Sequence, residues 1–245
     1  MKIASAQINS TVGHIQSNLE EHYRLIETAI AEGVELIAFP EMSITGYCRE
    51  EGKEMAFTEN DPRLDQLKQL ATNGNIHIIA GAPILKLDKL YIGAFVIYPN
   101  KPMAIYTKQY LHDGEELYYA SSRDFNPIIQ LGQEKISLAI CADINNEDHP
   151  RVSSKNGSTI YIPCIFYSKD GMGKGKELLG AYSKDYSLNI LMSNYTGELW
   201  NMEAGGQSAF WTSHGKRCGH LDSSESGLLI AEKTGEEWTT NKRLA

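Results

Sequence analysis

A strand, an amphipathic helix and a second strand follow one another so closely at the amino terminus that the sheet they enter must be at least partly parallel. Residues 2 to 8, Lys2-Ile3-Ala4-Ser5-Ala6-Gln7-Ile8, alternate with the two-residue period of a strand. Ser17 or Asn18 is placed to cap a helix over 19 to 31, whose Leu19, Tyr23, Ile26 and Ile30 share one face, and Gly33 ends it. Val34 to Phe39 is then a second apolar strand. Strands joined through a helix in this way pair in parallel, because the crossover brings the chain back to run in the same direction. The expected class is therefore α/β.

The rest of the chain extends this pattern. Asp61 as cap, Pro62 in the first turn and Leu64, Leu67 and Leu70 inside predict a second helix, closed at Asn73-Gly74 and followed by a strand from Ile76 to Gly81. Leu90 to Tyr98 and Met103 to Thr107 flank the turn Pro99-Asn100-Lys101-Pro102 and predict a hairpin. Strands are expected at 127 to 131, 135 to 141, 158 to 162, 189 to 193, 207 to 212 and 227 to 232, with a helix near 176 to 187. The glycine run 171 to 175 lacks the spacing of a phosphate-binding loop and reads as a loop or mobile lid. Gly235 to Ala245 reads as a tail or docking arm. No linker or repeat divides the 245 residues, so one domain over 1–245 is the simplest organisation.

Bulk properties narrow the function. A formal net charge of -8, with no Lys/Arg run longer than two, disfavours nucleic acid and anionic membranes as partners. No apolar run approaches a spanning helix and no signal-peptide pattern opens the chain, so a cytoplasmic protein is expected. Cys48, Cys141, Cys164 and Cys218 lie far apart, and the seven histidines form no H-x-x-H pattern. Neither a disulfide framework nor a metal site is expected, and no cofactor.

Three apolar strands each end in a reactive group: Phe39-Pro40-Glu41, Tyr106-Thr107-Lys108 and Ile136 to Cys141. Alone, each has a plain structural explanation: a solvated loop acid, a solubilising lysine, a small buried thiol. Together they supply a base, a fixed cation and a nucleophile, the set that hydrolysis of a carbon–nitrogen bond needs. An ordinary thiol is only a few per cent ionised at neutral pH, so it requires a neighbouring cation or a base, which Lys108 and Glu41 could provide. The Lys108 ammonium and the Ala142 N–H could hold the charge that develops when sulfur adds to an amide or nitrile carbon.

These motifs resemble those of the nitrilase superfamily, the carbon-nitrogen hydrolases. The resemblance rests on Phe39-Pro40-Glu41-Met42 with Thr45-Gly46-Tyr47, on Tyr106-Thr107-Lys108-Gln109-Tyr110-Leu111, and on Ile140-Cys141-Ala142-Asp143. It continues through Asn194-Tyr195-Thr196-Gly197 and Gly205-Gly206-Gln207-Ser208. It implies Glu41 as general base, Lys108 as stabiliser of the tetrahedral intermediate and Cys141 as nucleophile. It also implies a second active-site glutamate at Glu116, eight residues after Lys108, with Glu115 as the other choice. The implied fold is an α-β-β-α four-layer sandwich with two central mixed sheets, assembled as a homodimer or higher homo-oligomer.

Two departures bear on substrate. The chain reads Ile144-Asn145-Asn146-Glu147-Asp148-His149-Pro150-Arg151 after the cysteine, and Tyr182-Ser183-Lys184-Asp185-Tyr186 where many amidases of the superfamily carry an Arg-Ala-x-Glu-Asn helix motif. Tyr47, Tyr118, Asn145, Phe166 and Tyr167 flank the motif ends and are the candidate substrate-binding side chains, with Ala142 contributing its N–H. The leading expectation is a thiol amidase acting on a small-molecule amide. The alternatives are nitrile hydrolysis, acyl transfer on the same triad, and a non-catalytic binding or assembly protein of the same fold.

Overall fold

The amino-terminal unit forms as its periodicity requires. The computed structural model, which describes residues 1–245, contains β1 (Lys2–Gln7), α1 (Ile15–Ala31) and β2 (Leu36–Ala38), with β1 and β2 parallel. α1 starts before the expected cap, and Asn18 is buried instead of capping. Its Oδ1 accepts from the Thr11 N–H at 3.0 Å, and its Nδ2 donates to the carbonyls of Thr11 and Ile44 at 2.9 and 3.0 Å. A buried amide that satisfies three backbone groups is worth more here than one helix cap. Asp61 does cap, accepting from the Arg63 N–H at the short 3-10 turn that leads into α2 (Asp65–Gly74).

The chain continues through β3 (His77–Lys86), β4 (Lys89–Ile97), β5 (Ala104–Thr107), β6 (Ile129–Leu131), β7 (Glu134–Ile140), α3 (Asp148–Lys155) and β8 (Ile160–Cys164). It is completed by α4 (Met172–Asp185), β9 (Asn189–Met192), the two-residue strands β10 (Glu198–Leu199) and β11 (Met202–Glu203), β12 (Ala209–Trp211), β13 (Arg217–His220), β14 (Gly227–Thr234) and β15 (Glu237–Leu244). Two sheets result, a seven-stranded one ordered β15-β14-β1-β2-β3-β4-β5 and a six-stranded one ordered β13-β12-β9-β8-β7-β6. Both are mixed: β1, β2 and β3 run parallel in the first and β7, β8 and β9 in the second, with antiparallel strands outside them. No helix is long and apolar enough to cross a membrane.

The strand alternation sets the layers. On β7, Ile136, Leu138 and Ile140 enter the large core shared with the seven-stranded sheet, while Ala139 enters a smaller core with Leu179 and Tyr182 of α4. Burial of each such Ile or Leu contributes about 1.5–3 kcal/mol. α1 and α2 lie on the seven-stranded sheet and α4 on the six-stranded one, which gives the expected α-β-β-α sandwich.

Two expected loops are regular structure. The glycine run 171 to 175 is the first turn of α4, where a Cβ on Gly175 would sit 2.2 Å from the Tyr167 ring. The helix and that ring can approach only because the residue is glycine. Residues 235–245 are not a tail or arm: β15 pairs antiparallel with β14 along its whole length, and Trp238 packs on Phe210 with ring centroids 4.7 Å apart.

The topology fixes where function can sit. β5 is antiparallel to β4, which is antiparallel to β3, so β2, β3 and β5 all end at the same edge of their sheet. The facing edge of the second sheet carries the ends of β7 and β8. Strand ends of parallel strands are where variable loops meet a rigid base.

Candidate active site

Glu41 follows β2, in a turn held from several sides. Tyr195, fully buried, donates its hydroxyl to the Glu41 carbonyl at 2.6 Å. Gly81 on β3 lets this turn pass close, since a Cβ there would lie 2.4 Å from the Met42 nitrogen. The Glu41 carboxylate is buried, accepts from Lys108 Nζ at 2.7 Å through Oε1, and has no hydrogen-bond partner on Oε2. A buried carboxylate oxygen without a partner is uncommon in a folded protein and leaves Glu41 with a free acceptor.

Lys108 follows β5 and is fully buried, donating to Glu41 Oε1 and to Glu115 Oε1 at 2.8 Å. Glu115 sits on the short helical turn Glu115–Leu117, accepts from the Tyr47 hydroxyl at 2.9 Å on Oε1 and from the His112 N–H at 2.8 Å on Oε2. Two carboxylates thus flank one ammonium, which has three N–H groups and spends two of them on the pair.

Cys141 directly follows β7, with a φ of +40°, as the first residue of the short helix Cys141–Asn145. A non-glycine residue there costs on the order of 1–3 kcal/mol and persists only where its surroundings impose it. Asp143 imposes it. This buried carboxylate accepts from the Ile140 N–H (2.8 Å) and the Tyr106 hydroxyl (2.6 Å) on Oδ2, and from the N–H groups of Gln109 and Tyr110 (2.8 Å each) on Oδ1. Asp143 therefore ties the turn that carries Cys141 to the loop that carries Lys108. All four partners donate to it, so an amide would turn its NH2 against two of them. Asp143→Asn is expected to cost at least about 2 kcal/mol in a urea titration. A variant as stable as the parent would contradict this role.

The electrostatics follow from burial and charge. Burial pushes the Glu41 carboxyl up to about 7, against the pull of Lys108 and with a further push from Glu115. Burial and the Glu41 charge raise the Cys141 thiol well above its ordinary value, while Lys108 opposes them. Burial works against the Lys108 charge, yet Glu41, Cys141 and Glu115 hold it above the usual lysine range. At neutral pH Cys141 is a thiol beside a carboxyl group poised to exchange a proton with it, an arrangement suited to proton transfer.

A cavity of about 90 Å³ opens onto Glu41, Glu115 and Cys141. Its walls are Glu41, Tyr47, Arg49, His112, Glu115, Cys141, Phe166, Trp200 and Met202. Over residues 2–242 the sequence matches the carbon-nitrogen hydrolase family. The chain belongs to that family.

The carbon-nitrogen hydrolase shares the fold of the NitN amidase from Nesterenkonia sp. AN1, with a TM-score of 0.86 over 96% of this chain and 93% of that one, at 20% identity. Solved structures of the Nesterenkonia amidase include a complex with butyramide. The hydrolase is also 29% and 25% identical to the glutamine-dependent NAD(+) synthetases of Aquifex aeolicus and Thermotoga maritima, over 59% and 80% of its length. It spans only 26% and 36% of those longer proteins. A deaminated glutathione amidase of Synechocystis sp. is 24% identical over 80% of this chain and 78% of its own.

Of the residues singled out from the sequence, Glu41 and Cys141 line one cavity with Tyr47 and Phe166, and Lys108 lies buried behind it on Glu41. Glu116 does not join them. It is exposed, and Glu115, its neighbour, is the glutamate on Lys108, because the short helical turn points successive side chains in different directions. Tyr118 is also outside the site, with its hydroxyl on Glu50 at the surface. Asn145 is exposed at the far end of the Cys141 turn, and the Tyr167 ring packs toward α4 at Gly175. Ala142 is buried beside the cysteine.

Arg49, His112, Trp200 and Met202 were not singled out. Trp200 and Met202 belong to the β10–β11 hairpin, whose two-residue strands leave no periodic trace. Arg49 lies two residues beyond Tyr47 in a motif already in view, and that adjacency was the available signal. Asn194, in the Asn-x-x-Gly segment, braces the cavity wall from behind: it accepts from the Tyr167 N–H at 2.9 Å and donates to the Gly206 carbonyl at 2.8 Å.

Proposed function

We propose that this carbon-nitrogen hydrolase cleaves a small amide through a thioester on Cys141. The observation that carries this reading is the Glu41–Lys108–Glu115 cluster lying beside Cys141, with Glu41 Oε2 unpartnered. Amide rather than nitrile is favoured because amidases recur among its relatives, although a nitrilase of Pyrococcus abyssi is also 26% identical over 65% of this chain.

Glu41 takes the Cys141 proton as sulfur bonds to the carbonyl carbon. The resulting oxyanion is held by the remaining Lys108 N–H and by the Ala142 N–H, which lies in the first turn of its helix, where backbone donors have no partner within the helix. Glu41 returns the proton to nitrogen, the carbon–nitrogen bond breaks, and ammonia or an amine leaves. Water then attacks the thioester, Glu41 accepts its proton and passes it to sulfur as the carbon–sulfur bond breaks, and the thiol is restored as the acid product departs. Glu115 keeps Lys108 in place throughout and exchanges no proton.

Ammonia release across small amides, carbamoyl amines and nitriles tests the reading. Turnover of amides supports it, and turnover of nitriles alone would replace it with the nitrile reading. The base also fixes a pH dependence. Glu41 must be ionised to act, and its carboxyl is pushed up to about 7, so kcat/KM is expected to fall roughly tenfold per unit below that pH. A profile flat down to about pH 5.5, as an ordinary carboxylate would give, would contradict a base whose carboxyl is raised by burial.

A further inference from the structure

Arg49 stands at the mouth of the catalytic cavity as a cation that no carboxylate in the protein holds. Its Nε donates to the Tyr47 hydroxyl at 2.9 Å and its Nη1 to the Asp113 carbonyl at 3.2 Å, both neutral oxygens. The guanidinium lies 4.6 Å from the centroid of the Trp200 ring and 5.7 Å from that of Tyr47. By contrast Arg24, Arg63, Arg151 and Arg243 each close on an Asp or Glu, and Arg123 and Arg217, which do not, lie away from this cavity. A guanidinium carries five N–H donors in a planar fork, so three remain unspent at Arg49. Resting against an aromatic face and anchored at two of its nitrogens, it loses little freedom when it takes up a planar anion.

The cation buried behind the cavity wall is already committed. Lys108 is shared between Glu41 and Glu115 and serves the reacting carbon, so a negative charge elsewhere on the substrate has Arg49 as its partner. Tyr47 links the two ends, receiving from Arg49 and donating to Glu115. We propose that Arg49 is the specificity-determining residue of the site and selects amides whose far end carries a carboxylate. The cavity between Cys141 and Arg49 is small, which limits the spacer to a short chain. This rests on the amide-hydrolysis reading above.

The test compares glutaramate with its neutral counterpart pentanamide in the same protein. The native enzyme is expected to favour glutaramate in kcat/KM, and Arg49→Met to cut that ratio roughly 10- to 100-fold, chiefly through KM, as the loss of a charge-assisted hydrogen bond does. Arg49→Lys, which keeps the charge without the fork, should retain part of the preference, and Arg49→Glu should shift it toward the cationic 5-aminopentanamide. A ratio unchanged in Arg49→Met, whatever the absolute loss, would mean that Arg49 only braces Tyr47, and would overturn the proposal.

A binding measurement separates this from the catalytic reading. In Cys141→Ala protein, calorimetry should find glutaramate bound more tightly than pentanamide, with Arg49→Met removing the difference. If the preference holds while no amide is turned over, the hydrolysis reading falls and the anion site stands. If amides are turned over with no preference in either measurement, the anion site falls alone.

Discussion

Cys141→Ala is expected to lower amide hydrolysis by roughly 10⁴- to 10⁶-fold, the scale on which loss of a nucleophile acts, while leaving the fold intact. The loss follows from the absence of any substitute: Cys48 and Cys164 are buried and line no part of the cavity, and Cys218 lies on β13. Stability should change by less than about 1 kcal/mol. The thiol makes one weak contact, to the Phe166 carbonyl at 3.8 Å, and alanine meets the same backbone strain at φ +40°. Ammonia release and a urea titration on the same preparation check both halves. Activity within tenfold of the parent would remove the thioester route.

Lys108→Met is expected to cost both activity and stability. It leaves Glu41 and Glu115 buried together, each 1% exposed, with no cation between them. Removing one partner of a buried ion pair typically costs about 3–5 kcal/mol, because the remaining charge is uncompensated. The cost should depend on pH in a defined direction. Even with Lys108 present the Glu41 carboxyl titrates at about 7, above its unfolded value of 4.5, and without Lys108 it rises further. A group whose folded pKa is raised keeps its full contribution below the unfolded value and loses it as pH rises through the folded one. The variant should therefore lie closest to the parent near pH 4.5 and fall away as pH climbs through and beyond 7. Urea titrations at several pH values measure this, and a penalty independent of pH would contradict a charged cluster.

The parts of this site that were legible in the sequence are those that end a strand. Phe39 closes an apolar run and Tyr106 and Ile140 lie in two-residue patterns, and Glu41, Lys108 and Cys141 stand where those stretches stop. The α/β class was legible because the β1–α1–β2 crossover forces parallel pairing, whereas the four-layer sandwich was implied only by the family resemblance. Glu115 and Glu116 could not be told apart this way: they are chemically identical neighbours on a short turn, and only three-dimensional packing aims one at Lys108. Asp143 was visible beside Cys141, but its four donors come from residues 106 to 110 and 140, a convergence that no local pattern records. Polar, half-exposed β15 reads as a tail by composition, although the Trp-Thr-Thr run at 238 to 240 suits an edge strand.

The account turns on which atom carries the acyl group. Rapid acid quench of the enzyme turning over a saturating small amide, followed by peptide mass spectrometry, reads this directly. The account predicts an acyl adduct on the peptide bearing Cys141, released by hydroxylamine and absent in Cys141→Ala. Sustained turnover with the adduct on Cys48, Cys164 or Cys218, or with no adduct on any cysteine, would contradict it.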